Sequence, residues 1–401
     1  MRILIANKFM YPRGGDCVVA LLTSQLLKEH GHDVRLFAMD YPDNLQVPDA
    51  EDYASRVSFD GSIGDKLRAY RRLAGKGDIS NSFLKVMRDF RPDVVHLHNI
   101  HSYLSPVIGE LAAREGARVV WTQHDYKLLC PSYSCRRSDG NNCEECFGGN
   151  LSVVRNRCMK GSLAASLIAA REARIWPRKR LEKFTHTFIC PSKFMAENLT
   201  KAGYPEDKIM VVNNFADPAK FEGYQPKETP SDYFCYIGRL SSEKGIETLV
   251  RAAVSANVRL KIAGKGPLER ELKEKYGDTE GIEFLGHLDA KGVAETLVNA
   301  LASVMPSECY ENNPLGVIES LCLGTPVIGA EIGGIPELLL PTDKGDKSGA
   351  TFPSGDAKKL AELLSNFEAR DYNRKGIAEY ARKEFSPDRH YERLMKIYAP
   401  D

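Results

Sequence analysis

Two glutamates lie around a predicted helix start in residues 306–330, PSECYENNPLGVIESLCLGTPVIGA. Glu311 lies just before that start, and Glu319 lies on the second turn of the helix. The unbonded amides of a helix N-terminus attract phosphate, and a carboxylate held beside such a site is unusual for a residue that only caps. The pattern therefore indicates a site for a phosphate-bearing ligand. The alternative is one capping glutamate and one solvated glutamate.

The helix is predicted from residues with known positional preferences. Asn312 and Asn313 can cap a helix, and Pro314 suits the first helical position. We expect the helix to cover residues 315–323, to end at Gly324, and to be followed by a strand.

A second group of charges follows a predicted strand, in the sequence GRLSSEKG. Gly238 lets the backbone approach a ligand, and Arg239 and Lys244 supply two cations. Together with the helix start and the Gly14-Gly15 loop, they could hold about two to three phosphate charges through charge-assisted hydrogen bonds. No Asp-x-Asp pair follows a strand, so we expect protein cations instead of a catalytic metal ion, and no cofactor for catalysis. The alternative for Arg239 is an ordinary surface arginine.

Strand and helix signals alternate from the first residue, which implies a doubly wound parallel sheet. The predicted strands of the first half are residues 2–6, 33–38, 94–98, 118–123 and 187–190. The predicted helices between them include residues 17–30, 83–90 and 106–115. Ligands of such sheets bind beyond the C-terminal strand ends, where Gly15, His98, His124 and Asp125 fall. The alternative is that the glycines only turn the chain and the histidines are structural, which we favour for His98.

The alternation stops in the polar, proline-containing residues 217–232 and then restarts. The later predicted strands are residues 233–237, 259–263, 282–286 and 302–305, and the later predicted helices are residues 246–256, 267–276 and 293–301. We expect an α/β protein with two Rossmann-like, doubly wound domains that face each other across a cleft. The expected divisions are a first domain over residues 1–216, a linker over 217–232, a second domain over 233–386, and a C-terminal helix in 387–401 that packs back on the first domain.

Several motifs occur together: GRLSSEKG, AGKGP at 263–267, the glutamate pair, His124-Asp125, and GGIPE at 333–337. In this combination nearly the whole chain resembles a retaining family 4 glycosyltransferase of the GT-B fold, of the bacterial polysaccharide-biosynthesis type. The resemblance implies metal-independent hexosyl transfer from a UDP- or GDP-sugar to a glycan or lipid-linked oligosaccharide, with retention at the anomeric carbon. It also implies that the first domain handles the acceptor and the second domain handles the donor.

The resemblance assigns roles to individual residues. The implied catalytic residues are His124, Glu311, Arg239 and Lys244. The implied donor-binding residues are Gly15, Gly238, Arg239, Lys244, Gly264, Gly266, Leu288, Asn313, Pro314, Leu315 and Glu319. Arg239 and Lys244 would grip the diphosphate, Glu311 the sugar hydroxyls, and Glu319 the ribose. Many members carry an aromatic-glycine pair where this chain has Asn313-Pro314, so the resemblance leaves the sugar open.

The expected mechanism follows from the charge of the leaving group. The diphosphate gains negative charge as the glycosidic bond breaks, and groups already aimed at it stabilise the transition state. No carboxylate is a convincing nucleophile, so we expect front-face attack assisted by the leaving phosphate. The alternatives are a non-hydrolysing nucleotide-sugar epimerase on the same fold, which would need carboxylates placed for proton abstraction, and a binding module without catalysis. The intact set of Arg239, Lys244, Glu311 and Glu319 argues against the binding module.

Residues 130–158 form a cysteine-rich insert with one C-x2-C pair. Clustered thiols in a cytosolic chain indicate a structural zinc site. The predicted ligands are Cys130, Cys143, Cys146 and Cys158, with Cys135 left over. The alternatives are a loop that only happens to contain thiols and an iron–sulfur cluster.

Composition and charge suggest where the chain works. A hydrophobic content of 43% and a charged content of 27% are typical of a soluble protein, and ten cysteines without an export signal indicate a reducing cytoplasm. The net charge is +1, with the excess of basic residues in the first half. The segment SLIAAREARIWPRKRLEKF interleaves apolar and basic residues, so we expect an anionic membrane surface as a partner and a peripheral position at the inner face. The alternative is an ordinary helix with a charged solvent side, kinked at Pro177. No nucleic-acid partner is expected.

Overall fold

The computed structural model describes residues 1–399, which form two compact units. The first unit contains residues 1–213 and 391–399, and the second contains residues 214–390. Each unit holds one six-stranded sheet with helices around it, and every strand pair is parallel. The prediction of two doubly wound α/β units is therefore confirmed.

The sheet of the first unit has the order β2-β1-β3-β4-β5-β6. Its strands are β1 (Arg2–Ala6), β2 (Asp33–Phe37), β3 (Val94–Leu97), β4 (Arg118–Thr122), β5 (Thr187–Cys190) and β6 (Ile209–Val211). The central strands are apolar and buried on both faces, as parallel strands covered by helices must be. Strand order reverses at β1, so the loop after β1 lies where such sheets bind ligands.

Eight α-helices are described for the first unit before β7: α1 (Gly15–Glu29), α2 (Ile63–Leu73), α3 (Ile79–Phe90), α4 (Val107–Arg114), α5 (Ser152–Arg155), α6 (Leu163–Ile175), α7 (Arg178–Phe184) and α8 (Lys193–Lys201). The basic segment predicted as one kinked helix is two helices, α6 and α7. Pro177 precedes α7 with an extended ψ of 153°, because its ring favours a helix start and clashes inside a helix.

The sheet of the second unit has the order β12-β11-β10-β7-β8-β9. Its strands are β7 (Tyr233–Ile237), β8 (Arg259–Ala263), β9 (Ile282–Gly286), β10 (Ser303–Met305), β11 (Val327–Ala330) and β12 (Gly349–Phe352). The helices that follow β7 in the chain are α9 (Ile246–Ala256), α10 (Glu269–Tyr276), α11 (Ala290–Asn299), α12 (Leu315–Cys322), α13 (Ile335–Leu338), α14 (Ala357–Ser365), α15 (Arg374–Glu384) and α16 (Pro387–Tyr398).

The end of α16 packs into the core of the first unit. Leu394, Ile397 and Tyr398 are buried in the same apolar cluster as Ile3 of β1. The Tyr398 hydroxyl also forms a 2.5 Å hydrogen bond with Nδ1 of His96 on β3. These contacts account for the assignment of residues 391–399 to the first unit.

The predicted linker, residues 217–232, lies inside the second unit as the structure divides the chain. Phe221 and Tyr224 from this segment pack against the core of that unit. Within residues 1–399, none of the helices is both long enough and apolar enough to span a lipid bilayer.

Candidate functional site

Glycines let three loops meet closely at the C-terminal edge of the second sheet. A Cβ atom on Gly264 would lie 1.9 Å from the carbonyl oxygen of Gly238, and one on Gly266 would lie 2.2 Å from that of Leu240. Backbone hydrogen bonds join the same segments. The amide of Leu240 donates to the carbonyl of Lys265, and the amide of Gly264 donates to the carbonyl of Gly286. Side chains at these glycines would separate the loops, so glycine is required by close approach.

Lys244 and Glu311 form an ion pair of 2.5 Å between Nζ and Oε1. Their side chains are 29% and 13% exposed, so the pair is only partly solvated. Ser307 donates a second hydrogen bond to the same carboxylate, at 2.7 Å. Burial alone would lower the pKa of Lys244, but the nearby Glu311 and other negative groups outweigh it and raise the pKa. The lysine therefore stays charged at the predicted phosphate site.

Arg239 lies near the same pair but is exposed to solvent. Burial would raise the pKa of Glu243, yet its hydrogen bond from Ser241 and the charges of Arg239 and Lys244 lower it. Both cations thus act on one carboxylate and lie in one neighbourhood. In the part of the chain that the structure describes, the Arg239 guanidinium forms no ion pair, which leaves it available to an anion.

The start of α12 lies directly after Glu311, as predicted, but its cap differs. Pro314 is the N-cap residue and not the first helical residue, and no side chain caps the helix. Instead, Oδ1 of Asn313 accepts a 2.8 Å hydrogen bond from the amide of Asn214. Asn313 was predicted to cap, and that prediction is wrong because a longer-range backbone contact takes its oxygen. Gly324 ends the helix with a φ of 77°, as predicted.

The side-chain amide nitrogen of Asn313, Nδ2, is a candidate hydrogen-bond donor to a ligand. Asn313 is buried, and within residues 1–399 its Nδ2 has no hydrogen-bond partner. A buried N–H group without a partner costs free energy unless a ligand or water satisfies it. The position beside Glu311 and the α12 N-terminus suits an oxygen-rich ligand.

Three further predicted donor residues also lie in the second unit. Glu319, on the second turn of α12, forms a 2.5 Å ion pair with Lys220. Leu288, in the turn after β9, is half-buried. Leu315 is the first residue of α12.

Polar residues also collect at the C-terminal edge of the first sheet. Nε2 of His124, after β4, lies 2.8 Å from Nδ1 of His98, after β3. Asp16, in the first turn of α1, accepts a 2.7 Å hydrogen bond from Asn99 and lies 3.7 Å from the ammonium of Lys8. Burial lowers the pKa of His124 to about 4, although Asp16 acts in the opposite direction. His124 is therefore neutral at pH 7, and His98 contacts it.

The glycine loop of the first unit leaves open space beside α1. Gly14 is the N-cap of α1 in an extended conformation, and Gly15 is its first residue. A Cβ atom on Gly15 would meet no atom within 4 Å. The backbone at Gly15 is thus accessible to a ligand, and its assignment to the donor stays a prediction.

The sequence interpretation missed an aromatic cluster at the same edge. Phe9 lies 4.9 Å from Tyr41 and 5.5 Å from Tyr103 between ring centroids, and Tyr11 stacks on Tyr41 at 5.7 Å. Phe9, Tyr41 and Tyr103 follow three adjacent strands, β1, β2 and β3. Aromatic residues soon after predicted strand ends were the available signal, but no local pattern shows that they meet.

In the cysteine-rich insert, the thiols of Cys135 and Cys146 donate hydrogen bonds to Cys130 and lower its pKa. The residue left over in the predicted ligand set, Cys135, is therefore a direct contact of Cys130. Among residues 1–399, no set of three or more His, Cys, Asp or Glu side chains is arranged to hold a metal ion. The zinc site at Cys130, Cys143, Cys146 and Cys158 stays a prediction.

Two doubly wound units, the second with a glycine-lined loop, a charged pair and a helix start at its sheet edge, are the architecture of the GT-B class. A family model described as Glycosyl transferases group 1 matches residues 220–384, and one described as Glycosyltransferase Family 4 matches residues 13–220. The second model matches more than half of the chain, and the chain belongs to glycosyltransferase family 4.

Solved structures share this fold over nearly their whole length. The sucrose-phosphate synthase of Thermosynechococcus elongatus has a TM-score of 0.71 at 17% identity, with 99% of this chain and 98% of that chain covered. HepE of Anabaena, solved in complex with UDP-glucose, has a TM-score of 0.65 at 14% identity, with 99% of each chain covered. At these identities the likeness shows the fold.

A curated relative supports the same family. WcaL of Escherichia coli (strain K12), named as a glycosyltransferase of colanic acid biosynthesis, is 30% identical over 195 residues, which are 45% of this chain and 47% of WcaL. The chain spans about half the length of the first curated relatives that it matches.

Proposed function

We propose that this protein transfers a hexosyl group from a nucleotide diphosphate sugar to a glycan or a lipid-linked oligosaccharide, with retention at the anomeric carbon. The observation that carries the proposal is the cluster of Lys244, Glu311 and Arg239 beside the α12 N-terminus. Family membership and the UDP-glucose complex of HepE support a nucleotide sugar as donor.

The charges of the second unit suit a diphosphate leaving group. Lys244 is charged and oriented by Glu311, and Arg239 is exposed without an ion pair among the described residues. As the bond between the sugar and the diphosphate breaks, negative charge grows on the phosphate oxygens. These two cations and the α12 amides are already in place before that charge develops. They therefore stabilise the transition state more than the bound donor, and this difference lowers the barrier. We propose that they perform the role that a divalent metal ion has in other transferases.

Retention is proposed to follow from front-face attack. The departing phosphate oxygen accepts the proton of the acceptor hydroxyl while that hydroxyl attacks on the same face of the sugar. One C–O bond forms and one breaks, and the proton leaves with the diphosphate. The carboxylate of Glu311 is held by Lys244 and Ser307, which suits orientation of sugar hydroxyls better than nucleophilic attack.

The acceptor is proposed to bind in the first unit, at the C-terminal edge of its sheet. Tyr11, Tyr41 and Tyr103 are half-buried and offer ring surfaces that pack against the apolar face of a pyranose, while the buried Phe9 packs against their rings from within the protein. His124 is neutral and can donate or accept a hydrogen bond there without adding charge. The name of WcaL supports a polysaccharide precursor as acceptor.

The test is incubation with a panel of UDP-, GDP-, ADP- and TDP-sugars, in which release of the nucleotide diphosphate is measured. Lys244→Ala is expected to lower turnover by about 10²- to 10³-fold, as loss of one preorganised donor does in similar electrostatic sites. Glu311→Gln, which keeps hydrogen bonds but frees Lys244 of its partner, is expected to lower turnover as well.

A matched control removes an ion pair that lies elsewhere. Lys275 pairs with Glu247 at 2.9 Å on the surface of the same unit, and Lys275→Ala is expected to leave turnover unchanged. Nuclear magnetic resonance of the product would report the anomeric configuration. Near-normal turnover in a folded Lys244→Ala protein, or interconversion of the sugar without transfer, would contradict the proposal.

A further inference from the structure

The outer face of α2 is apolar although it faces solvent. Ile63 is 88% exposed and Leu67 is 58% exposed, and both lie in the same helical row as Tyr70. The opposite face of α2 is the one that packs on the protein, through Ala69, Leu73 and the buried Arg72. A soluble surface helix normally has polar residues on its outer face. An exposed apolar row therefore indicates an interaction surface.

Cations border this apolar row. With 100° between successive residues, Lys66 and Arg71 lie on the two sides of the row of Ile63, Leu67 and Tyr70. Neither cation forms an ion pair in the part of the chain that the structure describes. An apolar row between two free cations is the pattern of helices that lie in the lipid headgroup region.

Helix α6 has a similar outer face and lies next to α2. Leu163 and Leu167 are 48% and 52% exposed, and Arg174 lies in the same row about two turns after Leu167. The guanidinium of Arg171 lies 5.1 Å from the ring centroid of Tyr70, so the two outer faces meet at these residues. We name the surface formed by Ile63, Lys66, Leu67, Arg71, Leu167 and Arg174 the α2–α6 surface.

We propose that the α2–α6 surface binds an anionic phospholipid membrane. Charge complementarity selects this partner, because three cations without an ion pair among the described residues, Lys66, Arg71 and Arg174, border the exposed apolar side chains of α2 and α6, while the acidic residues of these helices are engaged. Asp65 closes the capping box of α2 and pairs with Arg68, and Glu172 is buried in an ion pair with Lys127. When the surface binds, the apolar side chains insert at the boundary between the lipid headgroups and the acyl chains, and the cations stay beside the lipid phosphates.

The surface extends the expectation drawn from the basic segment of α6 and α7. The sequence pattern of that segment alone did not include α2, which supplies the most exposed apolar side chains. The inference concerns lipid binding by the first unit and is independent of whether the second unit uses a nucleotide sugar. Vesicle binding and sugar transfer therefore fail or succeed separately.

The test is sedimentation of the full chain with vesicles of phosphatidylglycerol and phosphatidylcholine, compared with vesicles of phosphatidylcholine alone. Binding to the anionic vesicles is expected to exceed binding to the neutral vesicles by at least about tenfold, and to weaken as salt is raised, since membrane surface charge is screened. Ile63→Ser with Leu67→Ser, and separately Lys66→Glu with Arg71→Glu, are each expected to lower binding at least about tenfold.

Control variants make the same kinds of substitution at exposed positions of the second unit. Val254→Ser with Leu340→Ser removes two other exposed apolar side chains, and Lys358→Glu with Lys375→Glu makes the same change in net charge. Both are expected to bind vesicles as the unchanged protein does. A melting temperature measured for each variant separates loss of binding from loss of folding. Equal binding to both kinds of vesicle, no binding to anionic vesicles at low salt, or equal loss in the controls would overturn the proposal.

Discussion

At the scale of single residues, the Lys244–Glu311 pair joins two motifs that are distant in the chain. The GRLSSEKG motif follows β7, and Glu311 follows β10, and these strands are neighbours in the sheet. Residues after neighbouring parallel strands meet at one edge, so the sequence was sufficient to predict that they share a site. It was not sufficient to predict that they pair directly. The pairing matters because it keeps the lysine charged and limits its motion.

His124 of the first unit makes the stability of the protein depend on pH. His124 is partly buried, and burial lowers its pKa from 6.5 to about 4. Between these values the unfolded chain binds a proton that the folded chain does not, so stability falls as pH drops from about 6.5 to about 4. The difference in pKa corresponds to a loss of about 3 kcal/mol in the free energy of unfolding once the pH is below about 4. Chemical unfolding measured at several pH values is expected to show this loss.

Two replacements separate His124 from other groups. His124→Gln is expected to reduce the loss of stability in this pH range without removing it, because burial also lowers the pKa of His101. His287 is exposed, and His287→Gln is expected to leave the pH dependence unchanged. A His124→Gln protein with the same pH dependence as the unchanged chain would contradict a neutral, partly buried His124.

At the scale of elements, the start of α12 is held by one asparagine. Asn214 is buried, donates its amide hydrogen to Oδ1 of Asn313, and donates from Nδ2 to the Asn313 carbonyl, both at 2.8 Å. Asn313→Ala leaves the Asn214 amide without its acceptor, and we expect a loss of about 1–3 kcal/mol in the free energy of unfolding. Urea unfolding measures it.

A second variant at this position isolates ligand binding from stability. Asn313→Asp keeps an oxygen for the Asn214 amide, so most of the stability should remain. It replaces the unpartnered Nδ2 donor with negative charge beside the proposed phosphate site, so affinity for a nucleotide diphosphate should fall. Unchanged affinity in Asn313→Asp would show that this side chain does not face the ligand.

The elements that the sequence predicted best are the buried ones. Strands β1, β5 and β7 and helix α9 have the predicted bounds, because a continuous apolar run or a helical period reports burial directly. The missed strands are short: β6 has three residues and β12 has four. Helix α2 was also missed, since Ile63 and Leu67 face solvent while the charged Arg72 lies on the buried face, so its apolar period does not mark a core.

Site geometry was less predictable than the elements. The strand-end positions of Lys244, Glu311 and His124 followed from the βα alternation, but the partners of these side chains depend on contacts between segments far apart in the chain. The Asn313–Asn214 bond spans 99 positions, and no pattern within either segment indicates it. The aromatic cluster of Phe9, Tyr41 and Tyr103 has the same origin.

For the molecule as a whole, the proposed function divides the chemistry between the two units. The second unit holds the fixed positive charges and glycine loops that suit a diphosphate, and the first holds aromatic rings and a neutral histidine that suit a sugar acceptor. A net charge of +1 cannot by itself attract an anionic donor, so recognition depends on where the charges are placed.

The proposed recognition of the diphosphate by Arg239 and Lys244 of the second unit can be measured by calorimetric titration. UDP is compared with UMP, and GDP with GMP, in a buffer that contains a chelator. For the base that binds, the diphosphate is expected to bind at least about tenfold more tightly than the monophosphate, since each charge-assisted hydrogen bond contributes about 1.5–3 kcal/mol. Arg239→Ala with Lys244→Ala is expected to remove that difference. Equal affinity for diphosphate and monophosphate in the unchanged protein, or a preference that survives loss of both cations, would show that Arg239 and Lys244 do not recognise the diphosphate.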